Sequence, residues 1–113
     1  MHEMSIALSI VDLAADQARE ANAERILEIE LDIGTLSGVE IEALNFALEI
    51  AAKESVLESA EVRINRIQAA CKCMECGYVF DVEGLLSHCP RCGEWGTKIF
   101  RGKELQLKSI LVE

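Results

Sequence analysis

The chain has 113 residues, half of them hydrophobic but only 4% aromatic, and a formal net charge of −9. That length suits one ordinary domain, or one domain with a small appendage, built around Ile, Leu, Val and Ala. The acidic balance argues against nucleic acid as a partner, because a basic face supplies much of that affinity. No run approaches the ~20 apolar residues of a membrane span, and Met1-His2-Glu3 lacks the basic start of a secretory signal, so a cytoplasmic location is expected.

His2 comes first in chain order. Position 2 is usually frayed and exposed, so by itself this histidine reads as an ordinary terminal residue. The stretch MSIALSIVDLAADQAREAN, residues 4–22, predicts a helix. Ala7, Ile10, Val11, Ala14, Ala18 and Ala21 recur at spacings of three and four, while Asp12, Asp16, Arg19 and Glu20 fall on other faces. Met4 is read as packing rather than as a ligand. Next, RILEIELDIG alternates Leu27, Ile29, Leu31 and Ile33 with Glu28, Glu30 and Asp32. A period of two predicts a strand with one buried face, ended by Gly34.

From position 39 to about 57 the helical period returns. Ile41, Leu44, Ala47, Leu48 and Ala51 form a stripe that Phe46 and Ile50 widen. Ser37 is the expected N-cap, with Glu40 three residues on as in a capping box. SAEVRINRI predicts a second strand through Val62 and Ile64, and KELQLKSILVE a third through Leu105 and Leu107. The expected fold is therefore α+β: a small three-stranded sheet covered by two helices, with a zinc-ribbon-like module inserted between the last two strands. The expected domains are residues 1–69 plus 103–113, and the insert at 70–102. Charge is uneven: residues 1–70 carry 14 acidic and 5 basic side chains, and residues 71–113 carry 6 of each.

All five cysteines lie between positions 71 and 92. In a cytosolic chain such clustering points to metal or redox chemistry rather than to a disulfide framework. CKCMECGYVFDVEGLLSHCPRCG holds two knuckles, Cys73-x-x-Cys76-Gly77 and Cys89-Pro90-x-Cys92-Gly93. Two residues between thiolates let a tight turn aim both sulfurs at one ion, and the following glycine takes the positive φ that closes the turn. Four thiolates suit zinc or iron. The short spacer and sparse aromatics favour zinc over a rubredoxin-like iron site. Four thiolates also leave no open position, so the expected role is structural. A hairpin through Tyr78, Val79 and Phe80 is expected between the knuckles. Cys71 is read as a spare thiol and His88 as an exposed loop residue. With no Ser/His/Asp set, phosphate loop or HExxH motif, no enzyme activity is expected.

The MHE start, the helix–strand–helix–strand order, the CxxCG…CPxCG insert and the closing ELQLKSILVE together resemble the HypA/HybF family of hydrogenase maturation factors along the whole chain. That resemblance implies a nickel metallochaperone with labile Ni²⁺ at its N-terminus and structural Zn²⁺ at Cys73, Cys76, Cys89 and Cys92. His2 matches the family's nickel ligand, joined by the Met1 amine and the backbone amides of His2 and Glu3. Glu3 matches its acidic third residue. Glu40 stands where some members place a ligating Asp at the start of the second helix. The implied partners are a nickel-binding maturation GTPase of the HypB type, the [NiFe]-hydrogenase large subunit and, in some organisms, urease maturation factors. The chelate chemistry agrees: amine, amide nitrogen and imidazole close fused rings, and a further backbone nitrogen completes the square plane that suits Ni²⁺. A bulky second residue tends to keep Met1 in place. The other readings of the residues are a zinc-ribbon adaptor carrying no transported metal, and an iron electron carrier.

Overall fold

The structure, a computed structural model, describes residues 2–84 and 87–113. In chain order the elements are α1 (Glu3–Glu20), β1 (Ile26–Gly34), α2 (Ile41–Ala52), β2 (Glu61–Ile67), β3 (Ala70–Cys73), β4 (Val79–Asp81), β5 (Thr97–Arg101) and β6 (Leu105–Val112). They make two three-stranded sheets, ordered β2-β1-β6 and β4-β3-β5. The chain divides into two compact units, one comprising residues 1–31, 39–65 and 106–113, the other 32–38 and 66–105. None of the described helices is long and apolar enough to cross a membrane.

In the first unit α1 buries Ala7, Ile10, Val11, Ala14 and Ala18, as its periodicity predicts, and packs on α2. Three of those five are alanines, which let the helix approach its neighbours closely. Ala21, expected on the same stripe, is the exposed C-cap. The central strand β1 carries the most buried row, Ile29, Leu31 and Ile33, because a middle strand has neighbours on both edges. Its first turn inward comes from Ile26, not Leu27: Ile26 donates its N–H to the Val56 carbonyl at 3.1 Å and is buried, and Leu27 is exposed. On the opposite face Glu30 accepts from Asn65 Nδ2 on β2 (2.7 Å) and Ser109 Oγ on β6 (3.1 Å), tying the sheet together across β1.

The second helix departs from expectation at both ends. Its N-cap is Glu40 rather than Ser37, with the Glu40 carboxylate accepting from the Glu42 and Ala43 N–H groups at 3.4 and 3.0 Å. It stops at Ala52, five residues short of the expected end. There Ser55 Oγ donates to the Ala52 carbonyl and accepts from Leu57 N–H, while Glu54 takes a left-handed φ of 61°. Local serine bonding thus competes with the helical ladder and wins. The buried stripe is Leu44, Ala47 and Leu48; Phe46 and Ile50 do not widen it, since both face solvent.

The second unit is built on β3, paired antiparallel with both β4 and β5. Its core joins Ala69, Cys71 and Val82 to Leu36, Phe80 and Ile99. Segment 32–38 belongs to this unit because its backbone is bonded into it: Thr35 N–H to the Ile67 carbonyl, Leu36 N–H to Gly102, and Gly34 N–H to Glu104, all within 2.9 Å. The unit therefore reaches past the 70–102 expected from the cysteines alone. Two glycines make the joint possible. A Cβ on Gly34 would lie 2.0 Å from the Gly102 carbonyl oxygen, and one on Gly102, where φ is +121°, would strike Ala69.

Candidate metal centre

The cysteine knuckles sit at two turns. Gly77 N–H closes the first onto the Cys73 carbonyl (2.9 Å) and Gly93 N–H the second onto Cys89 (2.8 Å), both glycines at φ near +80°. Further bonds frame them: Cys73 N–H to the Tyr78 carbonyl, Met74 N–H to Gly96, and Cys89 N–H to Glu94, each 2.8 Å. Backbone bonding thus shapes the two turns that carry all four sulfurs.

The Sγ atoms of Cys73, Cys76, Cys89 and Cys92 all lie within 4.8 Å of one another, with Cys73–Cys92 and Cys76–Cys89 at 3.6 Å. A tetrahedral zinc with Zn–S bonds of ~2.3 Å needs sulfurs about 3.8 Å apart, so the cage has the size of that ion. Cys73 and Cys89 are buried and Cys76 and Cys92 exposed. Backbone donors already favour thiolate at the buried pair. The Cys76 N–H reaches Cys73 Sγ and the Arg91 N–H reaches Cys89 Sγ, each at 3.4 Å. The Cys76 N–H is the main cause holding the Cys73 thiol below its ordinary range. Burial pushes Cys89 up, but N–H groups of Cys92 and Arg91 outweigh it and bring the thiol to about 7. Cys92 goes the other way. Against the pull of the Glu94 N–H, burial and the neighbouring sulfurs raise it to about 12. Four adjacent thiolates repel one another, and a divalent cation is what lets all of them ionise together.

Cys71 is no part of this cluster; it is buried in the core beside Ala69 and Val82, where a thiol behaves as a small apolar group. His88 is exposed, its ring tilted against Trp95 with centroids 5.0 Å apart. The hairpin anticipated at Tyr78–Val79–Phe80 is strand β4 against β3, with Cys71 opposite Phe80. Strand β5, whose only signal is the brief alternation of Thr97 and Ile99 with Lys98 and Phe100, was not anticipated.

At the other end of the chain, Met1 lies outside the described residues. His2 is the exposed N-cap of α1, in extended conformation with no side-chain capping bond, and its carbonyl accepts from Ile6 N–H. Glu3 opens the helix. Its carboxylate accepts from the Glu40 N–H at 3.2 Å, so the start of α1 is tied to the start of α2. That bond is the largest cause lowering the Glu3 pKa, followed by one from Glu3's own N–H. The structure thus brings Glu3 and Glu40 together, a pairing 37 residues apart that no local pattern announces. Sequence reasoning gave Glu40 the third place of a capping box rather than the cap itself, and missed the bond made by Glu3.

An α+β chain with a four-thiolate cluster of zinc size is a metal-binding protein with a zinc-ribbon module. The family described as "Hydrogenase/urease nickel incorporation, metallochaperone, hypA" matches residues 1–112. A hydrogenase maturation factor HypA of Parabacteroides distasonis is 47% identical over all of this chain and 98% of its own length, and one of Prosthecochloris aestuarii is 45% identical over the whole of both. Among solved structures, the solution structure of the Ni metallochaperone HypA from Helicobacter pylori has a TM-score of 0.71 at 27% identity, covering 99% of this chain and 97% of that one. The chain belongs to the HypA family of nickel-incorporation metallochaperones, which are maturation factors and not enzymes.

Proposed function

We propose that this protein binds Ni²⁺ at its first residues and hands it on during [NiFe]-hydrogenase assembly in the cytoplasm, while Zn²⁺ in the cysteine cage holds the second unit together. Family membership along the whole chain is the observation that carries this reading, and it sets aside the adaptor and electron-carrier alternatives. Hydrogenase is taken as the client because the similar relatives are hydrogenase maturation factors. Its partners in this reading are a nickel-binding maturation GTPase, the hydrogenase large subunit and, where urease is also a client, urease maturation factors.

The local geometry supports the nickel half. The first N–H groups of a helix have no intrahelical partner. The amides of His2 and Glu3 therefore lie outside the helical ladder and can serve as nitrogen ligands without unwinding α1. With the Met1 amine and the His2 imidazole they complete a planar nitrogen set. The Glu3 carboxylate, held by the Glu40 N–H, supplies negative charge where a cation meets the positive end of the helix dipole. The Glu40 carboxylate is already engaged by the Glu42 and Ala43 N–H groups as the cap of α2, so it is the most dispensable of the set. Nickel ligation needs the amine and the imidazole unprotonated, so nickel affinity falls as pH drops and mild acid favours release.

For the zinc half, Cys73, Cys76, Cys89 and Cys92 supply a closed thiolate shell, whose chemistry is structural. Metal analysis and nickel calorimetry on an untagged N-terminus test both halves. His2→Ala, or one residue added before Met1, is expected to abolish stoichiometric nickel binding with zinc retained. Unchanged nickel affinity in both variants sinks the reading.

A further inference from the structure

Strand β5 is an outer strand of its sheet, with β3 on one side. An open groove of about 610 Å³ follows its residues 97–101 and continues to Lys103 and Glu104. Pairing places Lys98 directly opposite Lys72 on β3. Like charges facing each other across a ladder destabilise a sheet, so this pair contributes nothing to the fold. Lys72, Lys98 and Lys103 carry no ion pair among the described residues, whereas nearby Arg101 is bonded to Asp81 at 3.0 Å.

The register supplies a second observation. Cys71 pairs with Ile99 and Ala70 with Arg101, so Phe100 is the extra residue of a bulge. Alternation along β5 puts Phe100 on the same exposed face as Lys98. Here Ile99 stays in the core and Phe100 is 60% exposed, beside Lys98. A free main-chain edge, an apolar anchor and unpaired ammonium groups converge on one strand. An edge recruits an extended chain, the phenyl ring an apolar side chain, and the lysines carboxylates. Nucleic acid offers the same negative charge but no peptide N–H and C=O ladder to pair with a strand edge.

We propose that β5, with Lys72 beside it, docks an extended acidic segment of another protein as an added strand. The test titrates the isotope-labelled full-length, zinc-loaded chain with an end-blocked peptide of about ten residues, alternating Glu and Thr around one Leu. Amide shifts are expected along residues 97–103 and at Lys72, weakening as salt screens the lysines. Lys98→Glu and Phe100→Ala are each expected to reduce affinity about tenfold, and Lys98→Arg to preserve it. Zinc content is measured for every variant, and Lys103→Glu replaces any that loses metal. Shifts that avoid β5, equal binding of a peptide with Lys in place of Glu, or displacement by single-stranded oligothymidine would overturn the proposal.

Discussion

Single side chains hold double duties at both ends of this molecule. Glu3, proposed to stand beside the nickel, is also the acceptor that holds the Glu40 N–H. Because that bond lowers its pKa below the ordinary ~4.3, its contribution to stability is complete above that value and is lost as pH falls through the lower, folded-state value. Urea unfolding at a series of pH values should show native protein and Glu3→Gln diverging above pH ~4.3 and converging in stronger acid. A constant gap at every pH would assign the carboxylate no such part. Cys71 shows the converse. It shares a C-x-C with Cys73, yet one side chain joins the core and the other the cage. The four-cysteine spacing was fully legible in the sequence, since two knuckles have few other uses. The Glu3–Glu40 bond was not, because contacts between two helix starts depend on how the helices cross.

Among the elements, α2 and the joint between segment 32–38 and Gly102 are the most sensitive. Leu44 is fully buried on α2, so Leu44→Ala removes its packing and leaves a cavity. We expect a loss of about 2–5 kcal/mol in urea unfolding, while Phe46→Ala, at an exposed position, costs well under 1 kcal/mol. Gly102→Ala adds a Cβ within 2.4 Å of Ala69 at a φ that side chains avoid. The backbone penalty alone is about 1–3 kcal/mol, measurable as a lower melting temperature, and the clash adds to it. Helix periodicity foretold α1 almost residue by residue. It overran α2, because a serine at position 55 offers the backbone a competing bond that amphipathic spacing does not register.

At the scale of the whole molecule, charge divides along the two units. The first holds 14 acidic and 5 basic side chains, the second 6 of each. A carboxylate-rich unit raises the local concentration of cations, which suits a carrier of Ni²⁺. The second unit has a small apolar core, so in the proposed reading zinc supplies much of its stability. Stripping zinc with a strong chelator should therefore abolish amide dispersion in residues 66–105 while α1, α2 and residues 26–31 of β1 keep theirs. Loss of both sets together would mean that one cooperative fold spans the chain.

Much of this was determined by sequence alone. Strict periods of two and 3.6 name strands and helices because side-chain direction repeats with backbone geometry, and paired C-x-x-C-G knuckles name a metal because few other turns need those residues. What tertiary structure decided are the features set by distant neighbours. Segment 32–38 joined the cysteine unit through bonds to Ile67 and Gly102. Glu40 replaced Ser37 as the cap of α2, and Phe46 turned to solvent. A bulge shifted the register of β5 against β3 at Phe100. Each depends on which backbone groups lie opposite one another, and that pairing is a property of the folded chain.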